Sequence, residues 1–254
     1  MFDFRLHPES LSDADLDTLL QFGVHHALLA GPCAAHDTSA DGLIAGFEAL
    51  LRQQQRCKKH GLHTWLALGV HPSSLPKRGL ARVLDEIPKL AKPTVLRAIG
   101  PIGVFNQQGA QADAFEAQVQ LAQTLGLPVL VTLPARRKDA ALRLSLQALK
   151  TLEFTPTQVC IDGVSVKTVR TVLSLGHLAG LTVHPEYLTP DEAVALVNAL
   201  GPSQLMVSAA AGHGVCDIVS LALTAHRMER ASLSAAAIRR VTKENAARWL
   251  SVAL

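Results

Sequence analysis

Eight short apolar runs, separated by amphipathic stretches, constrain the fold of this chain more than any other feature of its sequence. Turn-forming residues bound each run, and the runs are apolar at consecutive positions. Parallel strands that are buried on both faces carry such runs. The alternation predicts an α/β fold, a (β/α)8 TIM barrel, with a doubly wound open sheet as the alternative. The runs are 2–4, 27–29, 64–68, 95–99, 128–131, 159–161, 179–183 and 205–207.

The stretches between the runs predict helices with recognisable ends. Ser12 precedes early acidic residues and a leucine repeat, which is typical of a capped helix start. Residues 111–126 repeat apolar positions at helical spacing, and Pro190 occupies the first position of a further helix. The tail over 232–253 predicts additional helices. Because no stretch has the composition of a linker, we expect one domain over 1–254.

Composition narrows the class of protein. Hydrophobic residues make up 48% of the chain, which is enough for a large core, yet no apolar run is long enough to span a bilayer. The N-terminus lacks the basic-then-apolar pattern of a signal peptide, so we expect a cytoplasmic protein. A net charge of +3 with one tyrosine and two tryptophans argues against a nucleic-acid partner. We expect free thiols at Cys33, Cys57, Cys160 and Cys216.

The sequence after each run matters most, because the site of a TIM barrel lies at the carboxyl ends of its strands. Several motifs there, taken in order over 1–249, resemble the TatD family of metal-dependent hydrolases, which are amidohydrolase-like barrels. The resemblance implies the barrel fold and a metal-dependent hydrolytic activity. The motifs are Gly69-Val70-His71-Pro72, Ile99-Gly100-Pro101-Ile102-Gly103, Leu127-Pro128-Val129-Leu130-Val131 and Asn245-Ala246-Ala247-Arg248-Trp249.

The same resemblance implies metal ligands that this sequence replaces. The family opens with an HxH pair, and here the first histidine is Arg5 while only the second is retained, as His7. Pro101 replaces the glutamate of the family's EIG motif. Thr132 replaces the histidine after strand five. Proline and alanine side chains offer no lone pair to a metal, and threonine is a poor substitute for histidine.

The last two ligand positions depend on register. The histidine after strand six corresponds to Gly163, or to Asp162 if the register shifts by one, and the aspartate after strand eight corresponds to Ala211 or Ala210. A catalytic divalent ion needs about three protein ligands and an open position. With so few of them retained, we assign no metal ligands.

Arg5 suggests what replaces the cation. A guanidinium stays charged near neutral pH and cannot ligate a metal, but it can bind a carboxylate or a phosphate. We therefore expect Arg5 to substitute electrostatically for the lost ion, with His7 as a retained ligand residue without its metal. Asp162 is interpreted either as a structural partner of Arg5 across the mouth or as a catalytic acid.

Other polar residues follow the predicted strands. His71 is either a ligand-contacting group or a turn histidine before Pro72. His213 is the candidate member of a new acid–base dyad with His71, together with Asp217. General acid–base catalysis requires hydrogen-bond reach, which a sequence does not show.

Two further segments carry polar groups at the same end of the barrel. His184, after strand seven, is a candidate ligand-binding residue, as is Thr132, and the alternative for His184 is an ordinary loop. The run Arg136, Arg137 and Lys138 could hold an acidic group, although such runs are more often solvated helix starts.

Two functions follow. The first is a pseudoenzyme that binds a small anionic metabolite at the former site, or a partner protein, without a cofactor. The second is an active phosphodiester or amide hydrolase with a rebuilt site drawn from His7, His71, Asp162, His184 and His213, which would require zinc, manganese or nickel. The number of side chains able to hold a metal favours the first.

Overall fold

A computed structural model describes residues 1–31, 37–107 and 109–254. Its centre is an eight-stranded parallel sheet in which the strands follow one another in chain order. The predicted runs all lie in or directly beside these strands. The strands are β1 (Phe2–Leu6), β2 (His26–Ala30), β3 (His63–Leu68), β4 (Leu96–Ile102), β5 (Val129–Thr132), β6 (Val159–Asp162), β7 (Leu178–Thr182) and β8 (Leu205–Ser208).

The first and last strands approach each other, so the sheet forms a nearly closed barrel. The His7 amide donates a hydrogen bond to the Ala211 carbonyl at 2.9 Å. The Ser208 hydroxyl donates to the buried carboxylate of Asp3 at 2.6 Å. This closure, together with a strand order that never reverses, confirms the TIM barrel and excludes the doubly wound sheet.

Helices surround the strands. Two of the starts predicted from the sequence have complete capping boxes, Ser12 with Asp15 and Thr189 with Glu192. The helices are α1 (Asp13–Gln21), α2 (Ala40–Lys59), α3 (Leu80–Leu90), α4 (Gly109–Leu125), α5 (Lys138–Thr151), α6 (Val169–Ser174), α7 (Pro190–Leu200), α8 (Ser220–Arg230), α9 (Ala235–Arg239) and α10 (Asn245–Trp249).

The core has two layers. The larger layer lies between the strands and the surrounding helices, and the smaller one fills the barrel with side chains such as Phe2, Phe4, Leu130 and Met206. α10 packs on the amino ends of the strands, which we call the bottom. There the Trp249 indole donates to the Gln158 carbonyl at 3.1 Å.

Asn245 fastens the same helix to the barrel. Its side-chain amide donates to the carbonyls of Pro202, at 2.7 Å, and Leu205, at 2.8 Å. The motif over 245–249 therefore closes the bottom of the barrel, and its part in this structure is in holding the fold.

Cys57, Cys160 and Cys216 are free thiols, as predicted, and Cys33 lies outside the described residues. Within the described ranges, no helix has the length and apolar character needed to cross a membrane.

Candidate functional site

A buried ion pair occupies the centre of the carboxyl ends of the strands, which we call the mouth. Arg5 Nη1 lies 2.7 Å from Asp162 Oδ2, and the two side chains are 2% and 0% exposed. The Thr182 hydroxyl donates a hydrogen bond to the other carboxylate oxygen of Asp162. Of the two residues considered at the end of strand six, Gly163 and Asp162, it is Asp162 whose side chain faces Arg5. The predicted pairing of Arg5 with Asp162 is present.

A bulge in β1 aims Arg5 into the barrel. Asp3 is paired with Ala27, whereas Leu6 is paired with Leu29, so β1 has one residue more than β2 across this interval. Such an insertion re-aims side chains and bends the strand. Phe4 packs in the barrel interior, and Arg5, the next residue, also reaches interior Asp162. Strict alternation would have placed these neighbours on opposite faces.

Gly180 on β7 leaves the space that the Asp162 side chain occupies. A methyl group placed on Gly180 would lie 2.6 Å from Asp162 Oδ1 and 2.8 Å from Phe4 Cζ. A side chain at this position would displace the carboxylate, so the pair depends on a glycine one strand away. Thr132, the neighbour of Asp162 on β5, is 1% exposed beside it.

Tyr187, in the segment after β7, covers this centre. A methyl group on Gly163, which has a φ of +75°, would lie 2.8 Å from Tyr187 Cε1. The ring therefore occupies the space that a side chain at Gly163 would need. The ring also contacts two cations, because Arg5 Cζ lies 5.4 Å and Lys138 Nζ 4.6 Å from its centroid. Both distances are within the reach of cation–π attraction.

Three histidine rings form the rim of the mouth. The ring centroids of His7 and His213 are 5.2 Å apart, and those of His184 and His213 are 5.4 Å apart. Two acidic side chains lie at the outer edge, with Glu9 Oε1 3.7 Å from His7 Nδ1 and Glu186 Oε2 3.8 Å from His213 Nε2. Residues 7, 184 and 213, which we selected from separate strand ends, are thus brought together.

Hydrogen bonds fix the tautomer of His184. The Glu186 amide donates to Nδ1 at 3.2 Å, so Nε2 carries the proton that is donated to the His213 carbonyl at 2.8 Å. Both ring nitrogens are therefore used within the protein. His184 holds the loops after β7 and β8 together, and its lone pair is not directed at a ligand.

His71 has the turn role that was one of its two interpretations, and its contact with a ligand stays a prediction. Its Nδ1 accepts the Ser73 amide at 3.2 Å and caps a short 3₁₀ helix, so the turn interpretation applies. The residue is also buried, with 8% of its surface exposed. Burial, and then the positive charge of Arg5, lower the pKa of His71 to about 3. The same two causes lower the pKa of His213 to about 3. Both rings are consequently neutral at physiological pH.

Asp217 does not join these histidines through a hydrogen bond in the described structure. Its carboxylate accepts the Val219 amide at 3.1 Å, in an exposed turn before α8. The catalytic dyad that we considered for His213 thus lacks this acid as a direct partner, and Glu186 is the carboxylate nearest to His213.

The donor set does not fit a divalent metal. Among residues 1–31, 37–107 and 109–254, no group of three histidine, cysteine, aspartate or glutamate side chains is arranged to hold an ion. Asp162 is bonded to a guanidinium, and Asp3 accepts from Ser208 and from backbone amides. Burial raises the pKa of Asp3, which further reduces its tendency to act as an anionic ligand.

Two cavities are large enough to hold a small molecule. One of about 350 Å³ opens beside the mouth and is bordered by His184, Tyr187 and Leu188, with Arg227 also in its lining. A larger one of about 760 Å³ lies between α5 and His177, near the amino end of β7. Because sites in this fold form at the carboxyl ends of the strands, we take the smaller cavity as the relevant one.

The fold is that of a (β/α)8 barrel with its polar residues gathered at the carboxyl ends of the strands. A family model described as TatD related DNase matches residues 6–209, and the chain belongs to this family. An uncharacterized metal-dependent hydrolase of Methanocaldococcus jannaschii is 24% identical over 230 residues, which are 88% of this chain and 89% of that protein.

Two further relatives differ in how much of the chain they cover. A 3'-5' ssDNA/RNA exonuclease TatD of Erwinia amylovora is 34% identical over 96 residues, 35% of this chain and 37% of that protein. The crystal structure of a TatD-like protein from Archaeoglobus fulgidus has a TM-score of 0.83 at 24% identity, covering 99% of this chain and all of the other. That structure shows the same fold.

Sequence reasoning did not assign a role to Tyr187 or Glu9, and it treated Lys138 only as part of a basic run. The single tyrosine of the chain was the available signal, since it follows a predicted strand end. The contact of Tyr187 with Gly163 joins two segments that are separated in the chain, so no local sequence pattern predicts it.

Proposed function

We propose that this member of the TatD family has lost metal-dependent hydrolysis and binds a small anionic ligand at the mouth of the barrel. The observation that carries the proposal is the buried pair of Arg5 and Asp162 at the centre of the site. A fixed positive charge there repels a divalent cation. The carboxylate that faces the centre is already bonded to that charge.

The neutral histidines support the anionic character of the ligand. His71 and His213 are kept neutral partly because Arg5 makes a second positive charge unfavourable. Neutral imidazoles donate and accept hydrogen bonds without adding charge. An anion that enters would be attracted by Arg5, and the neutral rings could donate hydrogen bonds to it.

A space of the size of a small ligand adjoins the mouth, and its lining includes His184 and Tyr187 but neither Arg5 nor Lys138. Small-molecule sites in proteins have volumes of roughly 300–1,000 Å³, and the cavity beside Tyr187 measures about 350 Å³. We favour such a ligand over a partner protein because the charged centre is enclosed by Tyr187 and the histidine rim. That no nucleic acid binds here remains a prediction, although a TatD relative is named as a single-stranded DNA and RNA exonuclease.

Two measurements test the proposal together. Hydrolysis of an aryl phosphodiester and of an amide is measured with added zinc, manganese or nickel, and we expect the same background for the protein and for His71→Ala. Calorimetric titration with inorganic phosphate is expected to show saturable binding, and a single-stranded oligonucleotide is expected not to bind. Metal-dependent turnover that His71→Ala abolishes would overturn the proposal in favour of a rebuilt hydrolase site.

A further inference from the structure

Lys138 differs from its two basic neighbours in where it lies. Arg136 and Arg137 are exposed, whereas Lys138 is partly buried, with Nζ 4.6 Å from the centroid of the Tyr187 ring. Arg137 adopts a left-handed conformation with a φ of 57°, which is unfavourable for a residue other than glycine. This strained residue immediately precedes Lys138, the first residue of α5.

The charge of Lys138 is not neutralised by a direct ion pair with any described carboxylate. Asp162 and Glu192 attract it at longer range, and Arg5 repels it. Burial lowers the pKa of Lys138 from its ordinary value. The π face of Tyr187 is thus the direct stabilising contact that the structure shows for this cation.

Arg5 and Lys138 therefore differ in how accessible their positive charges are to a ligand. Arg5 is buried and ion-paired to Asp162, so its guanidinium is less accessible to a ligand than the ammonium group of Lys138. Lys138 lies on the same aromatic ring, is nearer to solvent and retains an unneutralised charge. A small anion that reaches the mouth would meet Lys138 before it meets Arg5.

We propose that Lys138, held on the ring of Tyr187, contacts the anionic group of the ligand, and that the group is a small oxyanion such as a carboxylate or a phosphate monoester. Arg5 and Asp162 act beneath it as a positioning pair that fixes Tyr187. This inference rests on the proposed function, since it names the residue that binds the anion and the chemistry of the anion.

The single tyrosine of the chain makes the site directly observable. Protein labelled with ¹³C in the tyrosine ring gives signals from Tyr187 alone. The labelled protein is titrated with inorganic phosphate and, separately, with acetate at constant ionic strength. We expect a saturable shift with at least one of them, and the stronger binder identifies the ligand as a phosphate ester or a carboxylate.

Matched variants then assign the contact. Lys138→Met is expected to weaken the affinity by about tenfold, the loss of about 1.4 kcal/mol that one such contact represents. Lys138→Arg keeps the charge and is expected to restore most of the affinity. Arg136→Met removes an exposed cation two residues away and is expected to change the affinity less than about twofold.

The outcomes separate this inference from the proposed function. Saturable binding that Lys138→Met leaves unchanged would overturn the role of Lys138 while the mouth remained an anion site. Failure of the unmodified protein to bind either anion would overturn the proposed function itself, and the inference with it. Circular dichroism of Lys138→Met establishes that a lost affinity does not come from a lost fold.

Discussion

The two ends of the barrel both carry histidines among aromatic rings, yet they are organised differently. At the bottom, Phe2 and Trp65 stack at 5.5 Å with 10° between their planes, and His26 lies nearly parallel to Trp65, at 8°. At the mouth, the rings of His7 and His213 are tilted by 43°. The bottom is a packed stack, whereas the mouth is a ring of polar groups around an ion pair.

This difference is consistent with the proposal that the chain keeps the fold of its family while the chemistry at its mouth has changed. Asn245 and Trp249, in the last of those motifs, hold the bottom through hydrogen bonds to strand and loop carbonyls. Arg5 and Gly163 occupy positions at the mouth, where the fold tolerates other side chains as long as space and charge are balanced. The motif over 245–249 is therefore evidence for the fold, whereas the function depends on the residues at the mouth.

The largest effect is expected from breaking the central ion pair. Asp162→Ala leaves the Arg5 guanidinium buried without its partner, and we expect a loss of about 3–5 kcal/mol in the free energy of unfolding. Urea denaturation measures it. Asp41→Ala, which removes the exposed partner of Arg82, is the control and should cost less than about 1 kcal/mol. Equal losses of stability in Asp162→Ala and Asp41→Ala would mean that the buried ion pair contributes no more than an exposed one.

A smaller effect should follow from adding a methyl group beneath Tyr187. Gly163→Ala combines a left-handed backbone with a contact to the ring, and we expect a loss of about 2–3 kcal/mol. Gly126, near the bottom, has a φ of +64° but nothing within 4 Å of an added methyl group, so Gly126→Ala should cost about 1 kcal/mol. In the Tyr187→Ala background, Gly163→Ala should cost little more than Gly126→Ala does. If the cost of Gly163→Ala is unchanged in that background, the contact between residue 163 and the Tyr187 ring is contradicted.

The low pKa of His71 predicts a loss of stability in mild acid. The unfolded chain binds a proton at this residue below about pH 6.5, whereas the folded chain does so only near pH 3, so stability falls as the pH falls through this interval. Between pH 7.5 and 5.5 the loss is about 1.4 kcal/mol. His71→Asn, which keeps a cap acceptor for Ser73, should remove that part of the pH dependence.

His26 at the bottom provides the comparison for this pH effect. Burial lowers the pKa of His26 to about 4, but its ring is partly exposed and solvent screens its charge. Because the pKa of His26 is about 4 and that of His71 about 3, His26→Asn should flatten the stability curve as much as His71→Asn between pH 7.5 and 5.5, and less than His71→Asn below about pH 4. Thermal unfolding at a series of pH values measures both, and the reverse order below about pH 4 would contradict the stronger field at the mouth.

The smallest effect concerns the strained residue before Lys138. Arg137→Gly removes the left-handed strain at a φ of 57°, and we expect a gain of about 0.5–1 kcal/mol after the entropy of glycine in the unfolded chain is included. Ser232→Gly, with a φ of 62° far from the mouth, should gain a similar amount. A phosphate affinity that falls only in Arg137→Gly would show that the strain positions Lys138.

The sequence predicted the parts of this molecule that local pattern determines. Apolar runs located the strands, and Ser12 and Pro190 located helix starts. The bulge in β1 could not be predicted, because it is a property of the pairing between Asp3–Leu6 and β2. The sequence therefore indicated that Arg5 lies at the mouth but not how the strand turns it inward.

The candidate site was predicted in part for the same reason. Arg5 and Asp162 were recognised because each replaces or adjoins a motif position. Tyr187 and the orientation of Lys138 were not, since the ring acts on Gly163 and on the start of α5 across long separations in the chain. Space and charge at the mouth are set by these contacts, which only the folded chain brings together.

The central claim is that the mouth holds an arginine–aspartate pair in the place of a divalent ion. Elemental analysis of protein purified without chelator and then dialysed against zinc, manganese or nickel tests this claim most directly. The account predicts far less than one ion per chain, with no difference between the protein and Asp162→Asn. About one ion per chain, lost on substitution of His71 or Asp162, would contradict it.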